Sequence, residues 1–151
     1  KCCMGKSPEK VAANAAKEMA EKGPKIIAVT ALTSLQQSDL SDMGVARSMQ
    51  DHVRALAHLA MDAGADGVVC SPLEAALLRA DLGPDALLIT PGIRAAGEAK
   101  GDQKRTLTAS EAVRAGATHL VVGRPILEAA NPTESAARLL EEIRVAHGAR
   151  A

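Results

Sequence analysis

Residues 64–75 read Gly-Ala-Asp-Gly-Val-Val-Cys-Ser-Pro-Leu-Glu-Ala, and this stretch decides the fold class. Gly64 follows an Ala- and Leu-rich run and supplies the left-handed residue that ends a helix. Gly67–Cys70 is short, β-branched and free of polar alternation, as in a strand covered on both faces. Ser71-Pro72 with Glu74 then has the signature of a helix start: an oxygen-bearing cap, Pro in the first turn and an acid at the third position. Helix end, buried strand and helix start within twelve residues predict a β/α crossover unit.

The same punctuation repeats along the chain. Ser7-Pro8 opens an Ala-rich helix predicted to run to Gly23, and Ser48 with Asp51 opens one that stops at Gly64. The helix begun at Ser71-Pro72 closes at Gly83. Thr108 with Glu111 opens a short helix closed by Gly116, and Asn131-Pro132 with Glu134 opens the last, reaching about Gly148. Between them lie four apolar runs, Ile26–Thr30, Gly67–Cys70, Leu87–Thr90 and Leu120–Val122. One helix followed by four strand–helix units predicts an α/β chain built on a parallel sheet.

Composition narrows the function classes. The chain has 151 residues, with 18 basic and 18 acidic side chains, which argues against a generally basic nucleic-acid binder. No run approaches the ~18 apolar residues of a membrane helix, and KCCMGKSPEK lacks the apolar segment of a signal peptide. Three cysteines, two of them adjacent, suit a reducing, cytoplasmic compartment better than a disulfide framework. Phe, Trp and Tyr are absent while Ala occurs 31 times, which removes aromatic platforms for stacking bases and suggests a reduced alphabet, natural or designed.

Candidate functional residues cluster where the strands end, the rim on which parallel α/β folds bind ligands. Gly123-Arg124 follows the last strand. A glycine admits close approach to backbone N–H groups and a guanidinium grips phosphate oxygens in pairs, although the same residues also make a plain turn with a solvated Arg. Arg94 lies four residues beyond Thr90, and Gln103 sits in the polar run 101–105. Both have the reach for an anion, and both also suit a solvated loop. The connection Pro91–Leu107, rich in Gly and charge, reads as a lid. Thr33 and Ser34 offer a hydroxyl pair after the first strand, which local backbone turns would equally explain. The four histidines are scattered, so no metal site is expected, and Cys70 reads as core. There is no GxGxxG, P-loop, HExxH or CxxC, hence no nucleotide cofactor.

Taken together, AVTALTS (28–34), DGVVCSPLEA (66–75), TPGIR (90–94), GDQKR (101–105) and VVGRPI (121–126) closely resemble the bacterial orotidine 5′-phosphate decarboxylases over roughly residues 24–144. The resemblance implies a (β/α)8 barrel acting as a homodimer, without cofactor or metal, that converts orotidine monophosphate (OMP) to uridine monophosphate (UMP). It implies that Arg94, Gln103, Gly123 and Arg124 hold the substrate phosphate, that Thr33 and Ser34 lie near the base, and that Pro91 lines the pocket. Two positions depart from the family's aromatics: His119 before LVVGR and Ala86 before LLITPG.

A complete barrel of this kind typically needs ~250 residues. The match covers only the fifth to eighth strands, so the expected organisation is an N-terminal helix at 1–23 and a half-barrel at 24–151. The alternating Lys/Asp array that the family uses for catalysis belongs to earlier strands and is absent. No catalytic residue is therefore expected, and the chain alone is expected to be inactive. Its partners would be a nucleotide together with either a second copy or a complementing N-terminal half, with no nucleic acid and no membrane. The alternative is a non-catalytic half-barrel, engineered or natural, that dimerises and at most binds phosphate ligands.

Overall fold

A computed structural model of the chain describes residues 23–94 and 105–148. The helix expected at 1–23 falls almost entirely outside the described residues. The described part holds four strands, β1 (Ile27–Val29), β2 (Gly67–Val69), β3 (Leu87–Thr90) and β4 (His119–Leu120). They form one sheet in the order β1-β2-β3-β4, with every pairing parallel. Six helices connect and cover them: α1 (Gln37–Asp42), α2 (Met49–Asp62), α3 (Ala75–Leu82), α4 (Ala109–Arg114), α5 (Arg124–Leu127) and α6 (Pro132–Gly148). Sequential strands are neighbours throughout, as in a barrel wall, and the expected α/β class and parallel sheet are what the chain adopts.

Three expected helix starts hold to the residue, among them that of α6, where the Glu134 amide donates to Asn131 Oδ1 at 3.2 Å. Ser48 caps α2 through the Asp51 amide, and Thr108 caps α4 in a reciprocal box with Glu111, as the side-chain oxygens predict. The start at Ser71-Pro72 is displaced. Residues 71–74 form a turn, with the Glu74 amide bonded to the Ser71 carbonyl at 3.1 Å, and the helix begins only at Ala75. The carboxylate of Glu74, expected at a helix N-terminus, is drawn into a buried ion pair instead. Sequence reading also missed α1 and α5, both too short for a periodic signal.

The last strand is shorter than Leu120–Val122 and begins one residue earlier. Thr118 donates its amide to the Leu88 carbonyl, and Val121 donates its amide to the Thr90 carbonyl. Three steps along β4 thus match two along β3, a bulge that ends the ladder and bends the chain into Gly123 and Arg124.

The core lies on the helix side of the sheet. Val68, Cys70 and Leu88 meet Val53 and Ala57 of α2 and Leu78 of α3, all essentially inaccessible. A second cluster joins Ile93, Ala109, Ala112 and Leu139 beneath α6. The opposite face is open at its two edges, where Val29 is 60% and Val121 51% exposed, while Val69 and Ile89 between them are half-buried. The expectation of strands covered on both faces therefore holds for one face only among the described residues. Gly67 is dictated by packing, since a Cβ there would lie 2.1 Å from the Leu87 carbonyl oxygen.

Candidate functional site

The loops after the strands build one rim, and its floor is rigid. Thr30 closes β1 by donating its hydroxyl to the Val69 carbonyl at 2.8 Å. Thr90, fully buried, ends β3, and Gly92 turns the chain with φ +80°, a conformation that favours glycine. Ile93 then pairs with Leu107 in a parallel bridge, and the Arg94 amide reaches the Leu107 carbonyl at 3.1 Å. Both ends of the segment 95–104 are thereby brought together against the sheet.

Arg105 braces this rim. Its guanidinium donates to Glu74 Oε1 at 2.6 Å and to the carbonyls of Leu32 at 2.8 Å and Ala31 at 3.4 Å. Its own carbonyl accepts the Ser71 hydroxyl at 3.3 Å. Three rim loops converge on one side chain, and both members of the ion pair are nearly inaccessible. Burial is incomplete in one respect: Glu74 Oε2 and Arg105 Nε have no hydrogen-bond partner. Sequence reading placed Arg105 in a solvated polar run and Glu74 at a helix start. No local signal pairs them: Arg105 and Glu74 meet only once the sheet brings their loops together, where a buried carboxylate needs a cation beside it.

The predicted site residues sort as follows. Thr33 and Ser34 lie on the loop after β1, Thr33 buried and Ser34 half-buried, next to the carbonyls held by Arg105. Pro91 and Arg94 follow β3, both half-buried, and Arg94 donates to the Ile93 carbonyl at 2.7 Å. Gly123 and Arg124 follow β4, the neighbouring strand, so the two candidate cations, Arg94 and Arg124, stand on adjacent rim loops. Gln103 lies outside the described residues.

Gly123 is distinctive among these. It caps α5, its carbonyl accepting the amides of Ile126 and Leu127. Its φ is −118° and its ψ −92°, and a Cβ built there would meet nothing within 4 Å. Internal packing does not require glycine there, unlike at Gly67. Beneath it, Pro125 is buried and its carbonyl accepts the Ser135 hydroxyl at 2.7 Å, which fixes α5 to α6.

Cys70 is no nucleophile. Burial, reinforced by the nearby Glu74 charge, pushes its thiol up to about 12, so it remains protonated at neutral pH. Among the described residues no group of three or more His, Cys, Asp or Glu is placed to hold a metal ion, and no helix is long and apolar enough to cross a membrane.

Comparison with known proteins agrees with this architecture. Residues 2–139 match the model of the "Orotidine 5'-phosphate decarboxylase / HUMPS family". The orotidine 5′-phosphate decarboxylase of Rhodopseudomonas palustris strain BisB5 is 54% identical over 123 residues, 82% of this chain and 52% of that protein. That of Idiomarina loihiensis is 48% identical over 132 residues, 87% of this chain and 57% of the relative. The crystal structure of the Lactobacillus acidophilus decarboxylase superposes with a TM-score of 0.70 at 34% identity, covering 87% of this chain and 57% of that one. The chain thus spans about half the length of the relatives it matches. With a family match over nearly all its length and four parallel β/α units in the family's order, the chain belongs to the orotidine 5′-phosphate decarboxylase / HUMPS family.

Proposed function

We propose that the rim after β1, β3 and β4 binds a pyrimidine nucleoside monophosphate through its phosphate, and that the 151-residue chain holds this ligand without turning it over. Gly123 and Arg124, with Arg94 on the adjacent loop, would grip the phosphate; Thr33 and Ser34 would face the base and Pro91 would line the pocket. The observation that carries the reading is the open space before Gly123: a glycine that internal packing does not demand, beside an Arg, at the end of a strand. A phosphate oxygen approaching the backbone there is what a side chain would block.

The relatives are named for orotidine 5′-phosphate, a nucleotide of pyrimidine biosynthesis, which supplies the ligand class. Decarboxylation needs a general acid to protonate the carbanion that remains when the carboxyl group leaves. The resemblance places that Lys in an Asp-rich array on earlier strands, and no such array occurs here. Binding the phosphate away from the reacting carbon supplies the energy that orients the pyrimidine, so a half that keeps the grip and lacks the acid binds without reacting.

The test is a titration with UMP followed on the uracil proton resonances, with Arg124→Ala and Gly123→Val as variants. Saturable shifts in the parent chain, weakened at least tenfold in both variants, are expected. No saturation at millimolar UMP would overturn the reading. Addition of a separately expressed N-terminal half of a relative is expected to restore turnover of OMP, measured as loss of its ultraviolet absorbance.

A further inference from the structure

We propose that Arg105, held by Glu74, is a positioning residue. It sets the loop after β3, which carries Arg94, against the loop after β1, which carries Thr33 and Ser34, so that the rim takes a nucleoside monophosphate by both ends at once. This inference rests on the nucleotide reading and deepens it, since it concerns how the same site tells a whole nucleotide from its phosphate. The connection runs bond by bond. The Arg94 amide donates to the Leu107 carbonyl at 3.1 Å, and Ile93 pairs with Leu107 in a parallel bridge. Two residues before Leu107, the Arg105 guanidinium donates to the carbonyls of Leu32 at 2.8 Å and Ala31 at 3.4 Å, immediately ahead of Thr33 and Ser34. The Ser71 hydroxyl donates to the Arg105 carbonyl, which adds the loop after β2.

The chemistry of the pair points beyond stability. A buried ion pair is often no more stable than an apolar pair of the same size, and it costs more when its polar atoms are left without partners. The side chains of Arg105 and Glu74 are 9% and 4% exposed, and Arg105 Nε and Glu74 Oε2 both lack a partner among the described residues. What an apolar pair could not supply is direction. A guanidinium is a planar fork whose donors leave at fixed angles, so Glu74 on one prong fixes the plane in which the other prong meets the two carbonyls. Glu74 is itself anchored: its amide donates to the Ser71 carbonyl at 3.1 Å, and its carbonyl accepts the Leu78 amide at 2.9 Å.

Spacing is what a two-ended ligand reads. A ribose separates the phosphate from the pyrimidine, so groups on two independent loops would have to be ordered at binding, and that ordering is subtracted from affinity. Loops already joined through Arg105 meet both ends without that cost, and each end then raises the effective concentration of the other. A free phosphate touches only the loops after β3 and β4 and gains nothing from the brace.

The test titrates UMP and, separately, inorganic phosphate into the parent chain, Arg105→Lys, and Arg105→Met combined with Glu74→Leu, followed on the amide resonances of Gly123 and Arg124. Both variants avoid a buried carboxylate without a partner, and both lose the fork. UMP should weaken about tenfold or more in each, while phosphate stays within about twofold of the parent. Unchanged UMP affinity in a folded variant, or equal losses for the two ligands, would overturn the proposal. Amide hydrogen exchange in the parent chain needs neither variant nor ligand. The amides of Leu35, Glu74 and Arg94 each close one of the three loops, onto Leu32, Ser71 and Leu107, and a shared brace should give them one opening, with protection factors within about tenfold of each other. A wider spread would mean that the loops open separately, and the proposal would fall even if UMP binds. No saturation of the parent by UMP would overturn the nucleotide reading instead, and the exchange result would still decide the brace. If one variant loses its helical circular dichroism, the other variant and the exchange in the parent decide.

Discussion

The two faces of this sheet are made from the same run of letters and end in opposite environments. Along Leu87-Leu88-Ile89, Leu88 is completely buried beneath α2 and α3, while its neighbours face the side that carries no helix among the described residues. On that side Val29 and Val121 stand more than half exposed. A strand with one wet face alternates polar and apolar residues, whereas these strands are apolar on both. The helix face was written to meet this chain's own helices, and the other was written to meet something beyond the described residues. The difference separates what holds the sheet and its helices together from what they offer to a partner or a ligand.

The covered side even tolerates charge, and removing one partner there is expected to cost the most. Arg105→Met leaves the buried Glu74 carboxyl without its partner and short of donors, a loss of about 3–5 kcal/mol read from the urea midpoint. Arg105→Met combined with Glu74→Leu should recover most of it, since an apolar pair of similar size removes the desolvation cost along with the attraction. If the double variant is as unstable as the single one, the pair's value lies in its bonds to the Ala31 and Leu32 carbonyls rather than in charge.

Leu88→Ala against Ile89→Ala tests the two faces on one strand. Opening a cavity at Leu88 should cost about 2–5 kcal/mol. Ile89→Ala, on the bare face, should cost about 1 kcal/mol or less in a monomer. Equal losses would mean that the inner face is covered in solution. Thr108→Ala, far from either face, removes a cap whose hydroxyl accepts the Glu111 amide and should cost about 0.5–2 kcal/mol.

How much of this was legible depended on whether a signal was local. Ser48, Thr108 and the φ > 0 glycines at 64 and 116 act within a few residues, and each marked its helix end where the structure has it. Leu87–Thr90 was read to the residue for the same reason. What could not be read is what depends on distant pairs. The bulge that shortens β4 comes from Thr118 and Val121 choosing carbonyls about 30 residues away. Glu74 leaves its expected helix start because Arg105, 31 residues on, claims it. In the candidate site, Thr33, Ser34, Pro91, Arg94, Gly123 and Arg124 all fall on the predicted rim, since strand ends are local information. The brace beneath them was missed, because no spacing links Arg105 to Glu74 before the sheet exists.

The smallest expected effect lies at the opposite end of the strands and isolates solvent-side electrostatics from both faces. Asp66 accepts Lys25 Nζ at 2.7 Å and the Ile26 amide at 2.8 Å, and these two bonds, the first the larger, hold its carboxyl below the usual range. The native state thus favours the ionised form more than the unfolded chain does. Its contribution is fully present above the unfolded value near pH 4 and is lost as pH falls through the lower folded value. Asp66→Asn keeps one acceptor and gives up the charge, so its urea midpoint should lie slightly below that of the parent chain at pH 7 and converge on it toward pH 3. Both groups are solvent-accessible, so added salt should shrink the pH 7 gap as well. A gap that persists at pH 3 and in high salt would assign the stabilisation to the geometry of the Ile26 amide bond. The start of β1 would then be fixed by a neutral hydrogen bond, as the Thr118 hydroxyl fixes the start of β4 through Leu88.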